Sequence, residues 1–145
     1  MPERIKLVAA ALATLLLLPA GTAAGEPGKT AELQGLDKVT ARTVTFQVSV
    51  GETVKFGALV ITVQACDRTP PTEPPESTVF LDIYEAREGE ARTGLFHGWM
   101  FASSPALNGL EHPVYDVWAL ECLMGGKTII HAPNFPVPKR RPIRS

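Results

Sequence analysis

From Thr43 to Ala65 the chain alternates polar and apolar residues with a period of two, and that pattern decides what it can fold into. Val44, Phe46, Val48 and Val50 share one face of an extended segment, with Thr45, Gln47 and Ser49 on the other. After Gly51-Glu52, the alternation resumes at Val54 and Phe56. It breaks at Gly57-Ala58 and continues through Leu59, Ile61, Val63 and Ala65. A run of β-branched residues at this period predicts half-buried strands, and the glycines between them predict tight turns. Further on, Val79, Leu81 and Ile83 repeat the pattern within Thr78–Glu85, and Leu95–Phe101 and Val114–Cys122 follow it. Val114–Cys122 is apolar on both faces, as a central strand is. Val114, Trp118, Leu120 and Cys122 fall on one face, with Tyr115, Val117 and Ala119 opposite. No amphipathic helix of useful length interrupts the series. Ser104-Pro105-Ala106-Leu107 reads as an N-cap followed by proline at the first helical position, hence one helical turn. The expected fold is all-β: a small antiparallel sandwich or barrel of about six or seven strands, with a short helical turn and an irregular C-terminal tail.

The boundaries follow from composition. Arg4 and Lys6 precede an apolar run from Leu7 to Leu18, then Pro19 and small residues through Gly25. That is the pattern of an export signal, read as residues 1–24 with cleavage after Ala23 or Ala24, and it predicts a periplasmic protein. A retained membrane anchor is the competing reading, disfavoured because Pro19 and Gly21 break the run short of a span. Residues 25–38 read as a flexible lead-in, 39–122 as the β-domain and 123–145 as a proline-rich and basic tail.

Charge is unevenly shared. Between Gly25 and Cys122 there are 7 basic against 14 acidic residues, a net of −7, whereas the tail carries five bases and no acid. An acidic body excludes a folded nucleic-acid-binding face. Lys139, Arg140 and Arg141 in the tail suit an acidic partner or peripheral contact with an anionic membrane, or simply solvation.

In an exported chain the two cysteines, Cys66 and Cys122, predict one structural disulfide, with two buried thiols as the alternative. Cys66 stands out of phase with the apolar face of Leu59–Ala65. The bridge therefore requires a bulge or a strand end near Ala65. The loop Asp67–Ser77 holds Pro70, Pro71, Pro74 and Pro75, and reads as a stiff surface excursion that either offers a contact surface or is merely solvated.

The stretch Leu95–Cys122 gathers both tryptophans, two of the three histidines and one cysteine, and reads as a core hairpin of two aromatic strands. Its chemistry thins under inspection. His112 and Asp116 lie four residues apart, roughly 13 Å along a strand, and cannot chelate one ion without a kink. Glu111 lies beside them, while His97 and His131 reach them only through tertiary contact. A Ser-His-Asp arrangement assembled from Ser103 or Ser104, His97 or His112, and Asp116 lacks a nucleophile elbow. No catalytic residue, metal or cofactor is called for. Trp99, Phe101, Tyr115 and Trp118 either fill the core or line a partner or ligand surface, the core being the commoner use.

The segments LDKVTAR (Leu36–Arg42), GETVKFGALVITVQAC (Gly51–Cys66), the PPTEPPE loop and GWMFASSPALNGLEHPVYDVWALEC (Gly98–Cys122) resemble the exported bacterial proteins of domain-of-unknown-function family 2155. The resemblance implies a small periplasmic protein and supplies no catalytic residues. Members are often encoded beside a small accessory subunit of respiratory complex I. That neighbourhood implies an accessory subunit of a respiratory membrane complex. The expected function is thus a non-enzymatic interaction protein with a partner in the cell envelope. Its interaction surface would be Pro70, Pro71, Pro74, Pro75, Trp99, Lys139, Arg140 and Arg141. The alternative is a small-ligand module built around Trp99 and Trp118.

Overall fold

A computed structural model describes residue 21 and residues 25–125, and within them nine strands form two sheets. The segment read as an export signal, apart from residue 21, and His131 and the basic tail lie outside the described residues. In chain order the elements are β1 (Glu26–Pro27), β2 (Thr30–Asp37), β3 (Arg42–Ser49), β4 (Thr53–Phe56), β5 (Leu59–Arg68), β6 (Ser77–Glu85), β7 (Thr93–Phe101), the single helical turn α1 (Pro105–Asn108), β8 (Leu110–Glu111) and β9 (Tyr115–Leu123). The first sheet runs β1-β5-β6-β7, with β4 sharing the β1 edge of β5, and the second runs β3-β2-β9-β8. All pairings are antiparallel. The two sheets pack face to face as a sandwich, not a closed barrel.

The core is what the alternation promised. Phe46 and Val48 from β3, Phe56 from β4, Leu59, Ile61 and Val63 from β5, and Val79, Leu81 and Ile83 from β6 are buried between the sheets. Removing each such side chain from water is worth roughly 1.5–3 kcal/mol. Phe56 is central: its ring stacks on Phe46 at 5.8 Å and meets Tyr115 edge-on at 5.5 Å. Gly35 on β2 makes room for it, since a Cβ there would lie 2.7–3.0 Å from three Phe56 ring atoms.

Two expectations fail here. Thr30–Asp37 is no flexible lead-in. It is the inner strand β2, paired with β3 on one side and β9 on the other, with Ala31 and Leu33 fully buried. Its sequence, TAELQGLD, hides this, because Glu32, Gln34 and Gly35 dilute the hydrophobic signal and only Ala31 and Leu33 point inward strongly. The four-residue connection to β3 closes around Asp37. Its buried carboxylate accepts the Val39 and Thr40 N–H groups at 2.9 and 3.2 Å, and Ala41 takes a positive φ of 53°. Val39 and Ala41 therefore belong to a turn.

The second correction concerns Leu95–Cys122, which is not a hairpin. β7 is the outer strand of the first sheet and β9 an inner strand of the second, so residues 102–109 carry the chain across the sandwich. Proline and the α1 turn serve that crossing. Strand β9 does hold the central place its two apolar faces predict.

Candidate interaction site

Each cysteine reaches the core because its strand slips by one residue. In β5, Val63 pairs with Leu81 and Ala65 with Phe80, which leaves Gln64 bulged. In β9, Ala119 pairs with Leu33 and Glu121 with Glu32, which leaves Leu120 bulged. Cys66 stands three positions after Val63, and Cys122 three after Ala119. An odd step points outward on a regular strand, and each bulge restores it to the inner face. The sulfurs are bonded across the two sheets with a Cα–Cα distance of 5.7 Å, and both residues are buried. Gly28 closes over the bridge: a Cβ there would run into the Cys122 sulfur and lie 2.9 Å from that of Cys66. The same residue donates its N–H to Cys66 O at 2.8 Å, and Lys29 donates to Leu123 O at 2.9 Å, so this segment ties both cysteine strands together.

Beside the bridge, between β5 and β6, lies the proline-rich loop. Its tip is exposed from Pro71 to Pro75 and Pro70 is half-buried, yet its base is fixed. Thr69 N donates to Glu76 O at 3.0 Å and Glu76 N returns to Thr69 Oγ1 at 2.9 Å. Thr69 Oγ1 also reaches Pro74 O at 2.9 Å, and Glu73 N closes a turn onto Pro70 O at 3.0 Å. The Glu76 carboxylate then anchors the loop to the chain leaving β7. It accepts the Ser103 hydroxyl, the Ser103 N–H at 3.1 Å and the Ser77 N–H at 2.9 Å. Burial is the largest single influence on this carboxyl and pushes its pKa up. The combined donors from Ser103, Ser77 and Ala102 outweigh it, and the net shift is downward. A shallow hollow of about 330 Å³ separates this base from Leu120 and Glu121 on β9.

The sign of the pH effect follows. A depressed folded pKa adds stability above the unfolded carboxyl range, and that stability is lost as pH falls through the folded value. Replacing Glu76→Gln should lower the melting temperature at pH 7. The gap to the parent should narrow once pH falls below the ordinary carboxylate range and close as it passes through the depressed folded value, where the parent carboxyl is itself protonated. Melting curves across pH 3–8 check this, and a gap of constant size would exclude the carboxylate as its origin.

The remaining predicted residues scatter. Trp99 lies on the outer face of the first sheet, half-buried and edge-on to Phe80 at 5.2 Å, with His97 from the same strand edge-on to that ring at 5.0 Å. Trp118 lies on the outer face of the second sheet, between the inward Val117 and Ala119, so the two tryptophans share no groove. Of the four candidate aromatics only Tyr115 is core. Burial pushes its phenol pKa up, with Asp37 and Glu85 adding to the rise and the Ala58 N–H and Arg87 opposing it.

His112 and Asp116 take different partners. The His112 ring is buried and stacks on Tyr115 at 5.7 Å. Its Nδ1 accepts the Val114 N–H at 3.2 Å, and Nε2 faces Glu85 at 3.6 Å, a carboxylate already held by Arg87 at 2.6 Å. Asp116 pairs instead with Lys38 at 2.6 Å. Among the described residues, no three of His, Cys, Asp and Glu converge as a metal ion requires. Ser103 serves Glu76 rather than a histidine. Ser104 stands at the N-cap of α1 without making the side-chain bond expected of it. Glu76 and Asn108, whose amide caps Trp99 O, carry no sequence signature. Their roles arise from partners 27 and 9 residues away.

A small β-sandwich, cross-braced by one disulfide and presenting an anchored proline loop, is the class these features define. Residues 31–122 match the family described as "Uncharacterized protein conserved in bacteria (DUF2155)", and the chain belongs to that family. The chain is also 32% identical over 87 residues to the uncharacterised protein RP359 of Rickettsia prowazekii (strain Madrid E). That match covers 60% of this chain and 56% of the relative, so the chain spans little more than half of that protein. No solved structure matches it.

Proposed function

We propose that this is a non-enzymatic periplasmic protein that binds a partner in the cell envelope through its proline-rich loop. The observation that carries the reading is the combination of an exposed tip, Pro71–Pro75, with a base held by Thr69 and Glu76. A loop already ordered before binding gives up little conformational entropy on docking, and its four prolines stiffen it further. The −7 charge of the body favours a basic partner surface around the loop. Lys139, Arg140 and Arg141 add a contact to anionic lipid in this reading. The finer assignment, an accessory subunit of respiratory complex I, rests on the gene neighbourhood that the family resemblance brings.

Gentle solubilisation of native membranes, followed by separation of intact complexes, tests both levels. Copurification with complex I is expected, together with its loss when Pro71, Pro74 and Pro75 are replaced by serine. Association with another envelope complex would overturn the finer assignment. Failure to copurify with any would overturn the reading as a whole.

A further inference from the structure

We infer that the outer edge of β3 pairs with β3 of a second copy of this chain, joining two second sheets into one continuous sheet. Edge strands expose unpaired N–H and C=O groups, and proteins usually blunt them with brevity, proline, bulges, charge or a cover. Among the described residues the two sheets have five edge strands, and four of them are blunted. β1 spans two residues and contains Pro27, β8 spans two, and β4 spans four with the exposed Lys55 within it. β7 is long, but α1 packs beside it and Asn108 takes its Trp99 carbonyl. β3 differs from all of them. It is eight residues long, RTVTFQVS, regular in its pairing with β2, free of proline, and charged only at Arg42.

The occupant follows from symmetry and charge. From Lys38 to Gly51 the chain carries no carboxylate, so this strip is where two bodies of net charge −7 can meet without opposing acids. Core continuity requires inward residues opposite inward residues, which an antiparallel two-fold centred on Phe46 provides. Val44 then faces Val48 of the other copy, and Thr45 faces Gln47. The half-buried Val44 gains cover at the open edge. In that register the two Arg42 side chains stand about 27 Å apart along the strands, so the one charge of the strand never opposes itself. A cationic or acidic foreign strand finds no such complement in Thr43, Thr45, Gln47 and Ser49.

Sedimentation velocity on the exported protein over a range of concentrations tests the pairing. The expected result is a monomer–dimer equilibrium. The variant T43K/T45K should weaken it by at least about tenfold, because it places like charges on diagonal neighbours across the two-fold. Both threonines are exposed, so its melting temperature should match the parent's. A control, Q64K/T72K, adds the same charge at exposed sites away from β3 and should leave the dimer intact. A parent that stays monomeric throughout overturns the inference, as does a dimer equally tight in T43K/T45K. A photocrosslinker at position 45 that captures a different protein in cells, and not a second copy, overturns the choice of occupant. None of these outcomes bears on the proline loop, so the partner reading stands or falls separately.

Discussion

With Cys66 and Cys122 both replaced by alanine, the sandwich should unfold about 4 kcal/mol more readily, a drop of roughly 15–30 °C in melting temperature. The bridge closes 56 residues, and fixing the ends of so long a loop removes much of the unfolded chain's freedom. It is also the covalent link between the sheets, joining β5 to β9 at the end where Gly28 and Lys29 cross from one to the other. Denaturant unfolding of the parent with and without reductant, beside the double variant, checks the figure. If the reduced parent and the variant both lost less than about 1 kcal/mol, the bridge would not be the brace described here. The Gly28 position gives an independent handle. A side chain there collides with the bonded sulfurs, so Gly28→Val should destabilise the oxidised parent strongly.

Phe56→Ala should cost about 3–5 kcal/mol, the range for emptying an aromatic from a closed core. Phe56 has no exposed surface, and its ring, carried on β4 of the first sheet, contacts Phe46 from β3 and Tyr115 from β9 of the second, so its removal opens the space between the sheets. Gly35→Ala approaches the same contact from the other side and should cost about 1–3 kcal/mol by crowding the ring. The two changes share one space. The double variant Gly35→Ala/Phe56→Ala should therefore fall short of the sum of the singles, because the new methyl partly fills the cavity. Strict additivity in urea unfolding would contradict the packing of Phe56 on Gly35.

A period-two sequence writes its strands locally, and for that reason β3 to β7 and β9 are legible in residues 43–122. The turns at Gly51 and Gly57, with φ of 88° and 59°, are legible for the same reason. So is the need for a bulge or a strand end near Ala65, since the phase of Cys66 against Val63 is a matter of counting; the bulge is the one that forms. The strand β2 was not legible. Its inward residues are few and small, and it is held by β3 and β9 more than by its own propensity.

The partners of single polar groups were not legible either. Ser104 looks like the cap, yet the neighbouring Ser103 finds a carboxylate from another loop, and Trp99 and Trp118 sit close in sequence but on opposite sheets. The residues alone determined the class of fold, the strands β3 to β7 and β9 and the acidic body, and left Cys66 and Cys122 as the only candidates for a bridge, because alternation, charge and count are properties of a chain before it folds. Which strands became neighbours, which edge stayed open, and where Glu76, His112 and the aromatics found their contacts were decided by tertiary structure, because those energies arise between residues that the sequence holds far apart.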